Sequence, residues 1–327
     1  MSRVEGLAIS IALPPTPESV DLAVRAEGLG FDRVWLYDTP ALQLDVWMSL
    51  ALCARSTTRI GLGPAVLIPS LRHPLVTASA IASLEQLAGG RTAYAIGSGF
   101  TGRRALGLKP MRWVDVVAYV RQVQALLAGE TVEVDGARVA MIHAPGQAPA
   151  RPIDVPWLIG ANGPKGLAAA TDLGAGVFAT TPTPGFAWSA LLAFGTVLDD
   201  DEDPSSDRVL EAAGPGAAVA YHALYEQKSP VLAGLPGADD WVAAIEGVPS
   251  ETRHLEIHRG HLTQLNDIDR LVMSGPLAVG ISRSGTAAQM RARVEDAAAG
   301  GTTEFAYQPA GPDPRRELEA FAAAVLT

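Results

Sequence analysis

The feature that most constrains this chain is an alternation, begun at its amino terminus, of short β-rich runs with amphipathic segments. LAISIAL at 7–13 precedes a helix predicted from about Glu18 to Leu29, opened by Pro17 and closed by Gly30. DRVWLY at 32–37, RIGLGPAVLI at 59–68 and RTAYAIG at 91–97 repeat the pattern, with helices predicted near 45–56 and 74–88. Repeated βα units imply a parallel sheet. The helix after His73 carries Val76, Ala80, Leu84 and Leu87 on a stripe expected to face that sheet, and a longer helix holds Trp113, Val116, Val117, Val120 and Leu127 in register. A Pro/Gly-rich stretch then reads as a surface excursion. PWLIG ending at 160, GVFAT at 176–180, SALLAFGTVL at 189–198 and TEFAYQ at 303–308 complete the series. The total of about eight strands is the number that closes an α/β (β/α)8 TIM barrel, with an open doubly wound sheet as the alternative. One domain over 1–327 is expected, with 199–302 as a mostly helical insertion between strands 7 and 8, placed as a lid or substrate wall over the carboxyl-terminal face. Within it only LAVGI at 277–281 hints at a strand, and a final helix turns Leu318, Phe321, Ala322 and Val325 to the core.

Composition narrows the function classes. The 327 residues carry 25 Lys plus Arg against 35 Asp plus Glu, a net charge of −10, which excludes a nucleic-acid binder led by bulk charge. With 48% apolar and 18% charged residues there is ample material for a large core. The single cysteine, Cys53, makes an intramolecular disulfide impossible, fits a reducing compartment, and is expected to serve helix packing. The first apolar stretch is short and broken by Pro14 and Pro15, so no secretory signal is expected. No apolar run approaches the ~18–20 residues that span a bilayer. A cytoplasmic protein without a membrane partner is therefore expected. The acidic run Asp199–Asp203 reads as a solvated loop before a helix started by Pro204, Ser205 and Ser206.

Several short segments could carry chemistry. Gly160, Ala161, Asn162, Gly163, Pro164, Lys165 and Gly166 join a strand to a helix, where backbone N–H groups and Lys165 would meet an anion; a tight capped turn is the plainer explanation. Gly97, Ser98, Gly99 and Phe100 follow the fourth strand similarly, with Arg103 as a candidate phosphate contact and Arg104 as a solvated surface residue. Gly63 and Pro64 interrupt the third strand. Asp38 and Thr39 end the second strand, Asp38 as a candidate site carboxylate or a cap for the following loop. RHLEIHRGHL sets His254, His258 and His261 at i, i+4 and i+7, one face of a helix if helical, but Gly260 weakens that helix and no acidic ligand is obvious nearby. No metal is expected there. A pocket-lining role for His254 and His258, or hydrogen-bonded packing, is expected instead, with His222 only weakly suggested to join them.

Four segments in order, GLGFDRVWLYD at 28–38, RIGLGPAVLIPSLRHP at 59–74, LAGGRTAYAIGSGFTGR at 87–103 and IGANGPKGLAAATDLGAGVFAT at 159–180, resemble the bacterial luciferase-like flavin and deazaflavin oxidoreductases, which include methylenetetrahydromethanopterin reductases. SGTAAQMRARVEDAAAGGTTEFAYQPAG extends the resemblance toward the carboxyl terminus, leaving out residues 200–270. The resemblance implies a TIM barrel that binds FMN or coenzyme F420, a deazaflavin with a phosphorylated, glutamate-bearing tail. It implies a cofactor site at Asp38, Pro64, Ala65, Val66, Gly97, Ser98, Gly99, Phe100, Arg103 and the 160–166 segment, with the tail at the latter and a cis peptide at Ala65-Val66 behind the ring. Deazaflavin-dependent relatives often follow the carboxylate with histidine, where this chain has Thr39, and some sugar-phosphate dehydrogenases carry an acid at the place of Phe100. Both departures argue against that sugar-phosphate activity, and the apolar Phe100 suggests a less polar substrate. The leading expectation is hydride exchange between F420 and a small or medium organic substrate. The alternatives are an FMN-dependent monooxygenase fed by a separate reductase, and a barrel that binds a flavin-like ligand without catalysis. A homodimer is expected from the resemblance.

Overall fold

The computed structural model describes residues 4–327; Met1–Arg3, the first residues of the segment expected to lack a signal, lie outside the described residues. Eight parallel strands make one sheet: β1 (Ala8–Leu13), β2 (Arg33–Leu36), β3 (Gly61–Pro64), β4 (Tyr94–Gly97), β5 (Trp157–Gly160), β6 (Gly176–Ala179), β7 (Ser189–Phe194) and β8 (Glu304–Gln308). Apart from β3 and β4, each pairs with its neighbour in sequence, and β8 pairs with both β7 and β1. Between β3 and β4 the ring is closed by bridges at Leu62–Thr92 and Leu67–Ile96. The result is the (β/α)8 barrel implied by the strand count.

Residue size explains how the barrel fills. Ala12, Ala95, Ala190 and Ala306 from four strands, with Ala93 just ahead of β4, point inward and leave room for Trp35 and Phe178, which meet edge-on with centroids 5.5 Å apart. Toward the floor, the buried Glu304 carboxylate accepts from the indole N–H groups of Trp35 (2.7 Å) and Trp188 (2.8 Å), so a charged group inside the barrel is hydrogen-bonded. Outside the strands, Ile, Leu and Val pack against the helices. Local capping starts those helices. The Asp45 carboxylate accepts from the N–H groups of Trp47 and Met48 at 3.0 Å, and His73 Nδ1 accepts from Leu75 N–H at 3.1 Å ahead of Pro74.

The structure corrects several expectations. In the helix Pro74–Ala88 the buried face is Thr77, Ala78, Ile81, Ala82, Leu84 and Ala88, while Val76 and Leu87 are exposed, because apolar residues surround this helix and the stripe was ambiguous. SALLAFGTVL is not one strand. It breaks at Gly195, whose positive φ (146°) and approach to the Arg283 backbone turn the chain, and Val197–Leu198 pairs separately with Gly285–Thr286. LAVGI lies in the helix Gly275–Ile281, started by the Ser274 hydroxyl, which accepts from Leu277 N–H, and by Pro276. The Pro/Gly-rich excursion contains a hairpin, Val132–Val134 with Ala137–Val139. The acidic loop is only partly solvated, since Asp199 pairs with Arg316 and Glu202 with Arg208.

Beyond Leu198 the helices Asp207–Glu226, Ala238–Gly247 and Gly275–Ile281 gather a second core of Tyr221, Trp241, Ile245, Leu265 and Ala278. The helix Ala287–Ala299 instead packs Met290 and Val294 into the barrel's outer core. Among the described residues no helix is long and apolar enough to cross a membrane.

Candidate active site

The carboxyl-terminal ends of the strands surround a cavity of about 200 Å³. That is below the ~300–1,000 Å³ of a site enclosing a whole ligand, so it suits a ring held inside with the remainder outside. After β2 come Tyr37, Asp38 and Thr39; after β3, Ala65 and Val66; after β4, Ser98, Gly99 and Phe100. Gly97 and Gly160 line it at the ends of β4 and β5, Phe178 and Leu192 within β6 and β7, and His261 and Leu262 from the helical region. The wall is mostly apolar, and its polar groups are few.

Asp38 is the carboxylate among them. It is 2% exposed, its Oδ2 accepting from Arg72 Nη1 (2.7 Å) and from the N–H of Ile68 (3.1 Å), while Oδ1 has no partner. Burial pushes its pKa above the ordinary value, against the opposing pull of Arg72 and the Ile68 amide. Asp38 is thus anchored from the Arg72 loop instead of capping the loop that follows it. Thr39 donates to Gln43.

The Ala65-Val66 peptide is cis, at the place where the family resemblance implies one. Val66 also explains two glycines. A Cβ at Gly97 would stand 2.9 Å from Val66 Cγ2 and one at Gly160 only 2.5 Å from Val66 Cγ1, so both are required by neighbouring protein. Gly99 has a positive φ (76°) and begins the short helix Phe100–Arg104.

The other candidate residues divide. Pro64, at the end of β3, is not on the cavity wall. Arg103 donates from Nε to Lys109 O (2.6 Å) and from Nη1 to Ser70 Oγ (2.5 Å) and is not on the cavity wall. Arg104 is not a free surface residue: its guanidinium lies 4.6 Å from the Phe100 ring centroid and its Nε 3.4 Å from Glu226 Oε2. In the 160–166 segment, Asn162 Oδ1 accepts from Thr180 N–H (2.8 Å) and tethers the turn. A Cβ at Gly166 would meet Ala161 and Trp113 at 2.5 and 2.6 Å, so that glycine serves close packing of the helix Pro164–Asp172. Gly163 and Lys165 are exposed at the start of this helix, beside Pro164, and remain open to an anion there.

The histidine arrangement differs from the predicted one. The helix Arg253–Ile257 ends before His258, and positive φ at Gly260 (69°) and Leu262 (65°) redirects the chain. His254 is left against Gly107, away from the cavity. His258 is buried with Nε2 3.0 Å from Glu226 Oε1 and does not line the cavity; His261 does, with Nε2 3.4 Å from Thr101 Oγ1. His222, on the helix Asp207–Glu226, joins these two, its Nδ1 3.2 Å from His261 Nδ1. Burial, reinforced by His222 and His258, holds the His261 pKa well below its ordinary value, so that imidazole is neutral.

Sequence reasoning missed Tyr37, Leu42, Gln43, Ile68, Phe178, Leu192 and Leu262 on the wall. Phase along a strand was an available signal for Phe178 and Leu192, which share the inward face. The loop residues have no such pattern.

Comparison with known proteins fits this geometry. A 5,10-methylenetetrahydromethanopterin reductase from Methanolobus tindarius is 34% identical over 176 residues, 52% of this chain and 52% of that protein. The chain therefore matches about half the length of that relative. An F420-dependent glucose-6-phosphate dehydrogenase from Beutenbergia cavernae is 34% identical over 237 residues, 60% of this chain and 68% of that protein. Among solved structures, the coenzyme F420 dependent tetrahydromethanopterin reductase of Methanopyrus kandleri superposes with a TM-score of 0.67 at 19% identity, covering 98% of each chain. The FMN-bound oxygenating constituent of 3,6-diketocamphane monooxygenase from Pseudomonas putida gives 0.61 at 12% identity, again over 98% of each. Both of these likenesses concern the fold. The family model for luciferase-like monooxygenases matches residues 4–192, more than half of the sequence and the barrel strands from β1 into β7, and the chain belongs to that family.

Proposed function

We propose that this protein is an oxidoreductase that exchanges a hydride between coenzyme F420 and a small or medium organic substrate. The observation that carries the proposal is the cavity itself: an apolar slot at the strand ends with one buried carboxylate oxygen, Asp38 Oδ1, left without a partner. A flat heteroaromatic ring fits that lining, its apolar faces against Val66 and Leu192 and an N–H on its edge able to donate to Asp38. The exposed start of the helix Pro164–Asp172, with Lys165, suits the phosphate or carboxylates of the tail. The similarity to the relative from Beutenbergia cavernae named as F420-dependent supports the same choice.

F420, when bound, supplies the hydride chemistry. The chain's part is to orient the ring and substrate, exclude water through its apolar wall, and hold the negative charge of Asp38 in place through Arg72. Phe100 on the wall and Thr39 in place of histidine favour a substrate less polar than a sugar phosphate.

The FMN-bound neighbour favours a second reading, an FMN-dependent monooxygenase that receives reduced flavin from a separate reductase. Deazaflavins react poorly with oxygen, so oxygen uptake separates the two. Reduction of F420 by a panel of secondary alcohols, or its reoxidation by unsaturated ketones and imines, without oxygen uptake in the presence of reduced FMN, is the expected result; substrate-dependent oxygen uptake with reduced FMN alone contradicts it. We also infer a homodimer, supported by the exposed Met48, Leu52, Val76 and Ile142. Sedimentation equilibrium is expected to give twice the chain mass.

A further inference from the structure

We propose that His222, His258 and His261 form a binding site for a divalent first-row transition ion, zinc in the first instance, with a fourth position left to water or an oxygen ligand. One ring nitrogen from each lies within 4.8 Å of the others, and among the described residues the group has these three members. His222 Nδ1 and His261 Nδ1 are 3.2 Å apart. Two imidazole nitrogens on a tetrahedral zinc, at ~2.0–2.1 Å from the metal, stand about 3.3 Å from each other.

The opposite nitrogens are already oriented. His222 Nε2 faces Asp269 Oδ1 at 2.9 Å, and the same carboxylate accepts from Trp241 Nε1 at 2.9 Å. His258 Nε2 faces Glu226 Oε1 at 3.0 Å. Carboxylates that accept a hydrogen bond from the Nε2–H of two imidazoles fix Nδ1 as the lone-pair nitrogen, which is how outer partners prepare histidine for a metal. Ordinary packing does not account for all three rings. A proton shared between His222 and His261 satisfies two Nδ1 atoms and leaves His258 Nδ1, in a side chain 1% exposed, without any partner. A metal ion takes all three lone pairs. The surroundings agree: the carboxylates of Asp269 and Glu226 stand behind the histidines, with the Arg104 guanidinium against Glu226. Neutral nitrogen donors without thiolate suit zinc and its first-row neighbours, and three protein ligands with an open position characterise reactive more than structural sites. His261 belongs to both cluster and cavity wall, which sets the site beside the cavity.

The proposal does not depend on what the cavity binds. The test uses the tag-free full chain, stripped with chelator and titrated with Zn2+ by calorimetry and with Co2+ by visible absorption. One equivalent per chain and the intense d–d bands of a tetrahedral cobalt ion are expected. His258→Gln and His261→Gln should abolish this uptake, Asp269→Asn weaken it about 10- to 100-fold, and His254→Gln leave it unchanged. Thermal melts of the stripped variants show whether they are folded; should a ligand variant fail to fold, the wild-type stoichiometry and cobalt spectrum decide. No stoichiometric uptake by the wild type, octahedral cobalt bands, or uptake retained by folded His258→Gln and His261→Gln overturns the proposal.

Discussion

Asp38 is held by two protein donors on one oxygen and by none on the other, so it is both part of a buried ion pair and a carboxylate on the cavity wall. Asp38→Asn leaves Arg72 with only the partly exposed Asp45, at 3.3 Å. Breaking a buried pair from one side is expected to cost about 3 kcal/mol in urea unfolding, with turnover falling more than cofactor affinity. Val66 and Gly160 make a second local test. Gly160→Ala drives a methyl into Val66 Cγ1, for which overpacking costs of about 1–3 kcal/mol are usual. Val66→Ala should recover part of that loss, and a double-mutant cycle in which the two changes simply add would count against the contact. Position in the chain announced Gly160, but its reason lay elsewhere. The glycine-rich pattern pointed to a ligand's backbone approach, whereas the close neighbour is Val66, in the segment that follows β3. Asp38 was legible as a strand-end acid. Its anchor Arg72 was not, because no local spacing links residues 34 positions apart.

Among elements, the βα units were legible because hydrophobic period, caps and Pro/Gly boundaries agreed in them, as for Asp45 and the helix after it. They failed where one signal stood alone: the apolar run LAVGI, without neighbours to decide, fitted strand and helix equally until Ser274 and Pro276 set its start. The RHLEIHRGHL segment failed through Gly260, whose left-handed φ changed which histidines meet. Glu27 ties elements together in a way the sequence does not announce. From the first helix it accepts the N–H groups of Thr58, Arg59 and Ile60 ahead of β3. Burial opposes its ionisation, but these donors outweigh it and lower the pKa from 4.5 to about 2. A carboxyl depressed on folding contributes stability that is fully present above its unfolded value near 4.5 and lost as pH falls toward 2. Glu27→Gln should therefore lower stability by about 1 kcal/mol at pH 6, allowing for solvent screening. The gap from wild type should narrow as pH falls through 4 to 2, and urea midpoints that keep a constant gap over that range would contradict the assignment.

For the whole molecule, eight parallel strands bring the ends of separate βα units to one mouth, so residues dispersed from Tyr37 to Leu262 share a cavity. The helical region between β7 and β8 adds its own core and one wall residue pair, His261 and Leu262. The barrel was countable from strand runs, while that region, outside the matched family segment, carried no periodicity that places its loops over the mouth. A paired fluorescence titration of the stripped protein with F420 and with FMN tests the cavity's role most directly. F420 is expected to bind in preference, with Lys165→Glu weakening it about 3- to 10-fold through the tail alone. Preferential binding of FMN, or of neither, would contradict the deazaflavin assignment.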